Sequence, residues 1–474
     1  MKVHLVAQSH IDPVFMWNWD EGLFTILNTC TEAVRKLESH ADLRFSCSSS
    51  LVHEYLKRCL PGIWPRITEL ASQGRWVPVG GWYVQADTNL PDGEALIRQA
   101  LIGQTAFHHL LGIQSRVAYL VDSFGHPRTL PKILKHSGFD YFVFGRPGED
   151  FFSLPAPLFH WVGDDGSKLL SYRIPVSYST YADEVERIKR SVELMQNVTD
   201  YTLCFFGLGD HGGGPTEAQL QRVDSYARKT NEPTVEYSDP ERFLDIVSDD
   251  HNLPAFEGSL EPFAVGCYSA GAVLKRIHDR AQRELCNAER FAVLAQTITA
   301  PSSSELLPDL DQAWKDLLLT EFHDLLPGSS IKRGLAHGWR LAGSALAAAE
   351  KAKVIALKDL TRFIDTRGDA YIRFVIFNQE NLASTVYAEY EPWIFWHHWE
   401  NYRLLDSRGN EVPTQRIHAE AAGPALVRLI IKVELPANGY EVFKVVGPEP
   451  DFSKMAVEVD GYEEMVNEPV SELE

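Results

Sequence analysis

No run of about 18 apolar residues occurs in this chain, so no membrane-spanning helix is expected. Long basic runs are missing too. Lysine and arginine total 45 against 65 acids, a formal charge of −20. That balance argues against a nucleic acid or an anionic membrane surface as partner. CxxC spacing is absent. The six cysteines (Cys30, Cys47, Cys59, Cys204, Cys267 and Cys286) are scattered, and read as reduced core thiols of a cytoplasmic protein. The opening MKVHLVAQ is too short an apolar stretch for a secretory signal. The Asn197-Val-Thr triplet therefore carries little weight as a glycosylation site. No GxGxxG follows the first apolar run, and no Gly-Lys-Ser/Thr phosphate loop occurs, which disfavours dinucleotide and P-loop readings.

What is present falls into three textures. From residue 1 to about 255, short apolar runs (VHLVA, LRFSCS, RWVPVG, RVAYLV, YFVFG, KLLSYRI, TLCFFG, TVEYS) alternate with amphipathic helical patterns. Such alternation predicts an α/β domain with parallel strands, of the seven-stranded β/α barrel type. A doubly wound open sheet is the runner-up. Residues 256–367 carry three long helical patterns, expected to pack as a three-helix bundle. Residues 368–450 are short β-rich runs with turn signals, a small β domain. Residues 451–474 read as an acidic tail or truncated linker.

Chemistry in parallel α/β folds gathers at the carboxyl ends of strands. His10 and Asp12 follow the first run, and residues two apart on an extended segment face the same way. Imidazole plus carboxylate suits a divalent metal. Asp122 ends YLV, where a nucleophile or ligand would sit. Asp210 and His211 end TLCFFGLG, ahead of three glycines, and Arg146 follows YFVFG. Each has an ordinary structural use as well: a strand-end hydrogen bond, a helix cap or a surface ion pair. Several barrel strands ending in His, Asp or Arg together is the stronger signal.

Six separated segments carry a resemblance. They are QSHIDPV, GRWVPVGGWYVQADTNLPDGEALIRQ, YLVDSFGHPRTLPKIL, FFGLGDHGGGPT, GCYSAGAVLKRIHDRAQRELCNAER and AWKDLLLTEFHDLLPGSSI. In order and spacing the chain resembles the glycoside hydrolase family 38 α-mannosidases, nearer the bacterial and cytosolic branch, over about residues 3 to 335. The resemblance implies retaining hydrolysis of terminal α-mannosides through a covalent glycosyl-enzyme. It implies one divalent metal, Zn2+ by preference with cobalt or manganese open, held by His10, Asp12, Asp122 and His323. Asp122 would double as nucleophile. Asp210 or His211 would be the acid/base, since some relatives carry a second Asp where His211 stands. Arg146 falls at the family's active-site arginine. Phe15 stands where many members have Trp under the sugar, and Trp82, Asp87 and Tyr268 are further candidates for binding substrate. His323 is expected at the end of a bundle helix, with Asp324 turned away from the metal. Family enzymes continue into a large β-sandwich, and this chain stops about where it would begin. The expected partner is a carbohydrate, with no nucleic acid and no membrane; a homo-oligomer is compatible with the sequence. The alternatives are a metal-dependent carbohydrate deacetylase-like hydrolase and an inactive carbohydrate-binding fragment.

Overall fold

The computed structural model describes residues 1–448, except 210, 231, 251, 261–262, 300–305, 366, 369, 371, 392–400 and 419–426. The acidic tail expected over 451–474 lies outside these residues.

The first apolar run forms β1 (Lys2–Gln8), which is buried on both faces. Val3, Leu5 and Ala7 enter one core cluster and Val6 enters another. This is the two-residue alternation of a strand covered on both sides. The remaining expected runs of the first texture become β2 (Phe45–Ser48), β3 (Trp76–Val79), β4 (Val117–Leu120), β5 (Tyr141–Phe144), β7 (Lys168–Arg173), β8 (Tyr201–Phe206) and β9 (Thr234–Tyr237). Two further strands, β6 (Leu158–Val162) and β10 (Ala255–Glu257), were not anticipated.

Pairing resolves these strands into two five-stranded sheets. The first has the order β3-β2-β1-β8, with β9 also on β1, and every pair is parallel. The second has the order β10-β6-β7-β5-β4 and is mixed, because β6 and β7 form an antiparallel hairpin. Its Asp-Asp-Gly turn places Gly166 at φ 83°, a conformation glycine adopts without steric cost.

Helices α1 (Trp19–Ser39), α2 (Ser50–Cys59), α3 (Trp64–Ser72), α4 (Gly93–Leu111), α5 (Leu130–His136), α6 (Glu184–Met195), α7 (Glu217–Lys229) and α8 (Pro240–Val247) connect the strands. Their ends follow from local chemistry. Asp92 caps α4 through the Ala95 amide, and Gly112 closes it at φ 69°. Thr216 and Gln219 form a reciprocal capping box on α7. The long patterns of the second texture become α9 (Ala272–Thr299), α10 (Leu306–Thr320) and α11 (Lys332–Thr361).

Two compact units result. One comprises residues 1–289 and 305–352, the other residues 290–304 and 353–474. Within the second, β11 (Ile372–Asn378), β12 (Ser384–Tyr390), β13 (Arg403–Leu405), β14 (Thr414–His418), β15 (Val427–Leu435) and β16 (Gly439–Val446) form two antiparallel three-stranded sheets. Leu404, Leu429, Ile431, Val433, Phe443 and Val445 fill the core they share.

Candidate metal centre at the strand ends

His10 and Asp12 lie just past β1, and Asp122 two residues past β4. The fourth member arrives differently from expectation. His323 was expected at the end of a bundle helix, but α10 ends at Thr320. Glu321 to His323 then run beside residues 85–87, with Phe322 bridged to Ala86. The Asp87 amide donates to the Glu321 carbonyl at 2.8 Å, and the His323 amide to the Gln85 carbonyl at 3.3 Å. Glu321 anchors this segment from below. Its carboxylate is fully buried, 3.0 Å from His278 Nε2 and 3.0 Å from the Gln99 amide. His323 is therefore held by strand-like pairing, not by a helix end. The helix argument that turned Asp324 away does not apply, and its Oδ2 lies 3.6 Å from His323 Nε2.

His10, Asp12, Asp122 and His323 each offer a ligand atom, all within 4.8 Å of one another. None is more than 6% exposed. His10 Nε2 is 2.8 Å from Asp12 Oδ1 and 3.9 Å from Asp122 Oδ2. His323 Nε2 is 3.5 Å from Asp12 Oδ1 and 3.4 Å from Asp122 Oδ2. Ligands about 2.1 Å from a tetrahedral metal would stand roughly 3.4 Å apart, so this spacing fits one ion.

The hydrogen-bond inventory points the same way. His323 Nδ1 donates to the Gln85 carbonyl at 2.8 Å. A carbonyl only accepts, so the other ring nitrogen turns its lone pair toward two carboxylates. His10 Nε2, His323 Nε2 and Asp12 Oδ1 have no hydrogen-bond partner among the described residues. Acceptor facing acceptor in a buried site is relieved by a positive charge between them, either a proton on the imidazole or a metal ion. The ionisation balance expresses the same demand. Burial alone would lower the pKa of both histidines, yet the adjacent carboxylates raise both: Asp12 chiefly for His10, Asp324 chiefly for His323. Burial pushes Asp324 up to about 7, against the pull of His323. Burial would also raise Asp12 and Asp122, but the imidazoles hold both below the usual carboxylate range. Tyr178 stands edge-on to His10 and Phe124 edge-on to His323, at 5.1 and 5.8 Å between centroids.

Other anticipated residues lie as follows. Arg146 Nε pairs with Asp122 Oδ1 at 2.5 Å, and its guanidinium lies 4.9 Å from the Phe263 ring centre. Trp17 donates from Nε1 to the Asp12 carbonyl at 2.9 Å and stacks on His211 at 3.9 Å and 6°. His211 is itself bridged to Ile11. Asp210 lies outside the described residues. Phe15 is half-buried and edge-on to Trp17 at 5.6 Å. Trp82 is only 2% exposed, with its indole N–H unpartnered among the described residues. Asp87 is fully buried and takes three hydrogen bonds, from the Asn89 and Leu90 amides and from Tyr268 Oη at 2.7 Å. Asp87 and Tyr268 are thus brought to each other. Tyr178, Phe124 and Gln85 were missed: a lone aromatic or amide in a loop gives no chemical signal in sequence.

Residues 1–264 match the glycosyl hydrolases family 38 N-terminal domain, and residues 263–357 match the alpha mannosidase middle domain. Alpha-mannosidase 2C1 of Homo sapiens is 32% identical over 337 residues, which is 70% of this chain and 32% of that protein. An alpha-mannosidase of Saccharomyces cerevisiae is 28% identical over 346 residues, again 70% of this chain and 32% of that protein. The chain thus spans about a third of the length of the curated relatives it matches. A solved alpha-mannosidase from Enterococcus faecalis V583 aligns with a TM-score of 0.78 at 19% identity, over 95% of this chain and 56% of that one, which is a likeness of fold.

Proposed function

Since the chain belongs to glycosyl hydrolase family 38, we propose that it is a metal-dependent, retaining α-mannosidase acting on terminal α-mannosides. The observation that carries this reading is the buried group His10, Asp12, Asp122 and His323, gathered from three separate chain segments. The curated relatives of the family named above are themselves called alpha-mannosidases. At the level of fold, we read the two sheets as halves of one seven-stranded-type β/α barrel (1–255), followed by a three-helix bundle (256–367) and a small β domain (368–450). Inward residues of β1, β3, β4, β5, β7 and β8 share one core cluster, which supports the barrel.

In this reading the four residues would hold a zinc ion, which would bind and orient sugar hydroxyls and so fix the ring for attack at the anomeric carbon. Asp122 has a division of labour between its oxygens. Oδ2 faces His10 and His323, while Oδ1 faces Arg146. The guanidinium favours the ionised carboxylate, the form needed for attack. Asp122 attacks the anomeric carbon as the glycosidic C–O bond breaks. Asp210 or His211 gives its proton to the leaving oxygen. The same residue then takes a proton from water, which attacks the anomeric carbon and breaks the ester to Asp122. Two inversions leave the configuration retained.

Hydrolysis of an aryl α-mannoside tests the reading. Turnover should stop with chelator and return with zinc. Asp122→Asn should lower kcat by at least about 1,000-fold without abolishing zinc binding, as expected for loss of a nucleophile. Acetate release from an acetylated sugar, with no sugar released from mannosides, would replace this reading with the deacetylase one.

A further inference from the structure

Gln85 stands where three supports of the centre meet. Its carbonyl accepts from His323 Nδ1–H at 2.8 Å and from the His323 amide at 3.3 Å. Its side-chain Oε1 accepts from the Val121 amide at 3.1 Å, the peptide immediately before Asp122. Its Nε2 donates to Ser48 Oγ, at the end of β2, at 2.7 Å. The residue is 4% exposed.

Each contact answers a specific need. The β4–β5 ladder ends at Leu120, so the Val121 N–H lies past its last strand partner. A buried N–H without an acceptor is costly, and Gln85 supplies the acceptor. The carbonyl contact fixes His323 as the Nδ1–H tautomer and sets its ring orientation. Anchored at both ends of its amide, the side chain keeps that carbonyl from turning independently of the strand that carries Asp122.

Resting on the metal-centre reading above, we infer that Gln85 is a positioning residue: it locks the ring of His323 and the peptide ahead of Asp122 into one rigid relation, so that both present their ligand atoms to the same ion. Its side-chain amide is spent on the Val121 amide and Ser48 Oγ. An apolar residue of similar length would leave the Val121 N–H unpaired and the carbonyl unbraced. Glutamate would keep both contacts, because Ser48 can turn its hydroxyl to donate.

The test uses zinc alone as ligand, with affinity from chelator competition and geometry from the visible spectrum of the cobalt-substituted protein. Gln85→Met should lose about 10- to 100-fold in zinc affinity, the usual cost of removing a group that orients a ligand. Its cobalt spectrum should shift. Gln85→Glu should stay close to wild type in both. Ser48→Ala frees one end of the amide and should show a smaller loss in the same direction. A folded Gln85→Met protein with wild-type affinity and spectrum would overturn the inference. If Gln85→Met does not fold, Ser48→Ala decides, and wild-type zinc affinity there rejects the role. Wild-type protein that takes up no zinc would instead bring down the metal-centre reading, and this role with it.

Discussion

His53 is a fully buried histidine whose two ring nitrogens are both committed. Nδ1–H donates to the Ser49 carbonyl at 2.9 Å, and Nε2 accepts from Trp76 Nε1–H at 3.0 Å. A second proton would break the Trp76 bond and charge an apolar site. Burial accordingly lowers its pKa to about 4, only partly opposed by the Ser49 carbonyl. The unfolded chain binds that proton near pH 6.5. Below that pH the unfolded state binds more protons, so stability falls as pH drops. The contribution is complete above about pH 6.5 and lost progressively down to about pH 4. It is on the order of 3 kcal/mol for a shift of this size. Denaturant melts from pH 7 to 4 should show this slope. His53→Gln, which can serve both partners without titrating, should flatten it, while an unchanged slope would clear His53 of the role. At this scale the sequence was most readable where chemistry and position coincided. His10, Asp12 and Asp122 follow apolar strands and could be picked out as residues. His323 needed the family resemblance, because a lone His near a helix end reads as packing. Gln85 was mute, since its importance lies partly in a backbone carbonyl that every residue has.

Element by element, the apolar runs of the first texture became strands, and the errors have physical causes. The segment LFHWV lay close to KLLSYR across an Asp-Asp-Gly turn, a hairpin signal hidden by the expectation of parallel strands. Helix α11 begins at Lys332, well before the alanine-rich run ALAAAEKAK that starts at Ala345. Gly334, Gly338 and Gly343 obscure its periodicity. Two of them have a packing reason, since an added Cβ would meet Val14 or Leu274 side chains, whereas Gly343 has nothing within 4 Å. This contrast is testable on two helices. A Cβ on Gly103 of α4 would fall 2.4 Å from the Gly81 carbonyl oxygen. Gly103→Ala should therefore destabilise by about 1–3 kcal/mol despite the better helix former. Gly343→Ala should stabilise by roughly 0.5–1 kcal/mol. Urea midpoints with unchanged m-values would check both, and equal shifts in one direction would refute the packing argument.

For the molecule as a whole, all four candidate ligands belong to the unit of residues 1–289 and 305–352. No shift in composition marks the divisions at 289 and 352, which is why the sequence textures do not fall there. A ligand that binds only the native state stabilises by mass action, about 2.7 kcal/mol at 100 times its Kd. Calorimetry should show zinc raising, and chelator lowering, the transition of this unit, with the transition of residues 290–304 and 353–474 unmoved. A uniform shift of both transitions would count against a single site here. No helix among the described residues is long and apolar enough to cross a membrane. The late position of His323 has a consequence for biosynthesis. With about 200 residues between Asp122 and His323, a ribosome takes roughly 10–40 s to deliver the last ligand after the third. For that interval the nascent chain carries two carboxylates and an imidazole without the fourth candidate ligand. An ion that needs all four ligands would enter only once the segment beside residues 85–87 has been made, as a seal on a nearly finished unit and not a seed for its folding.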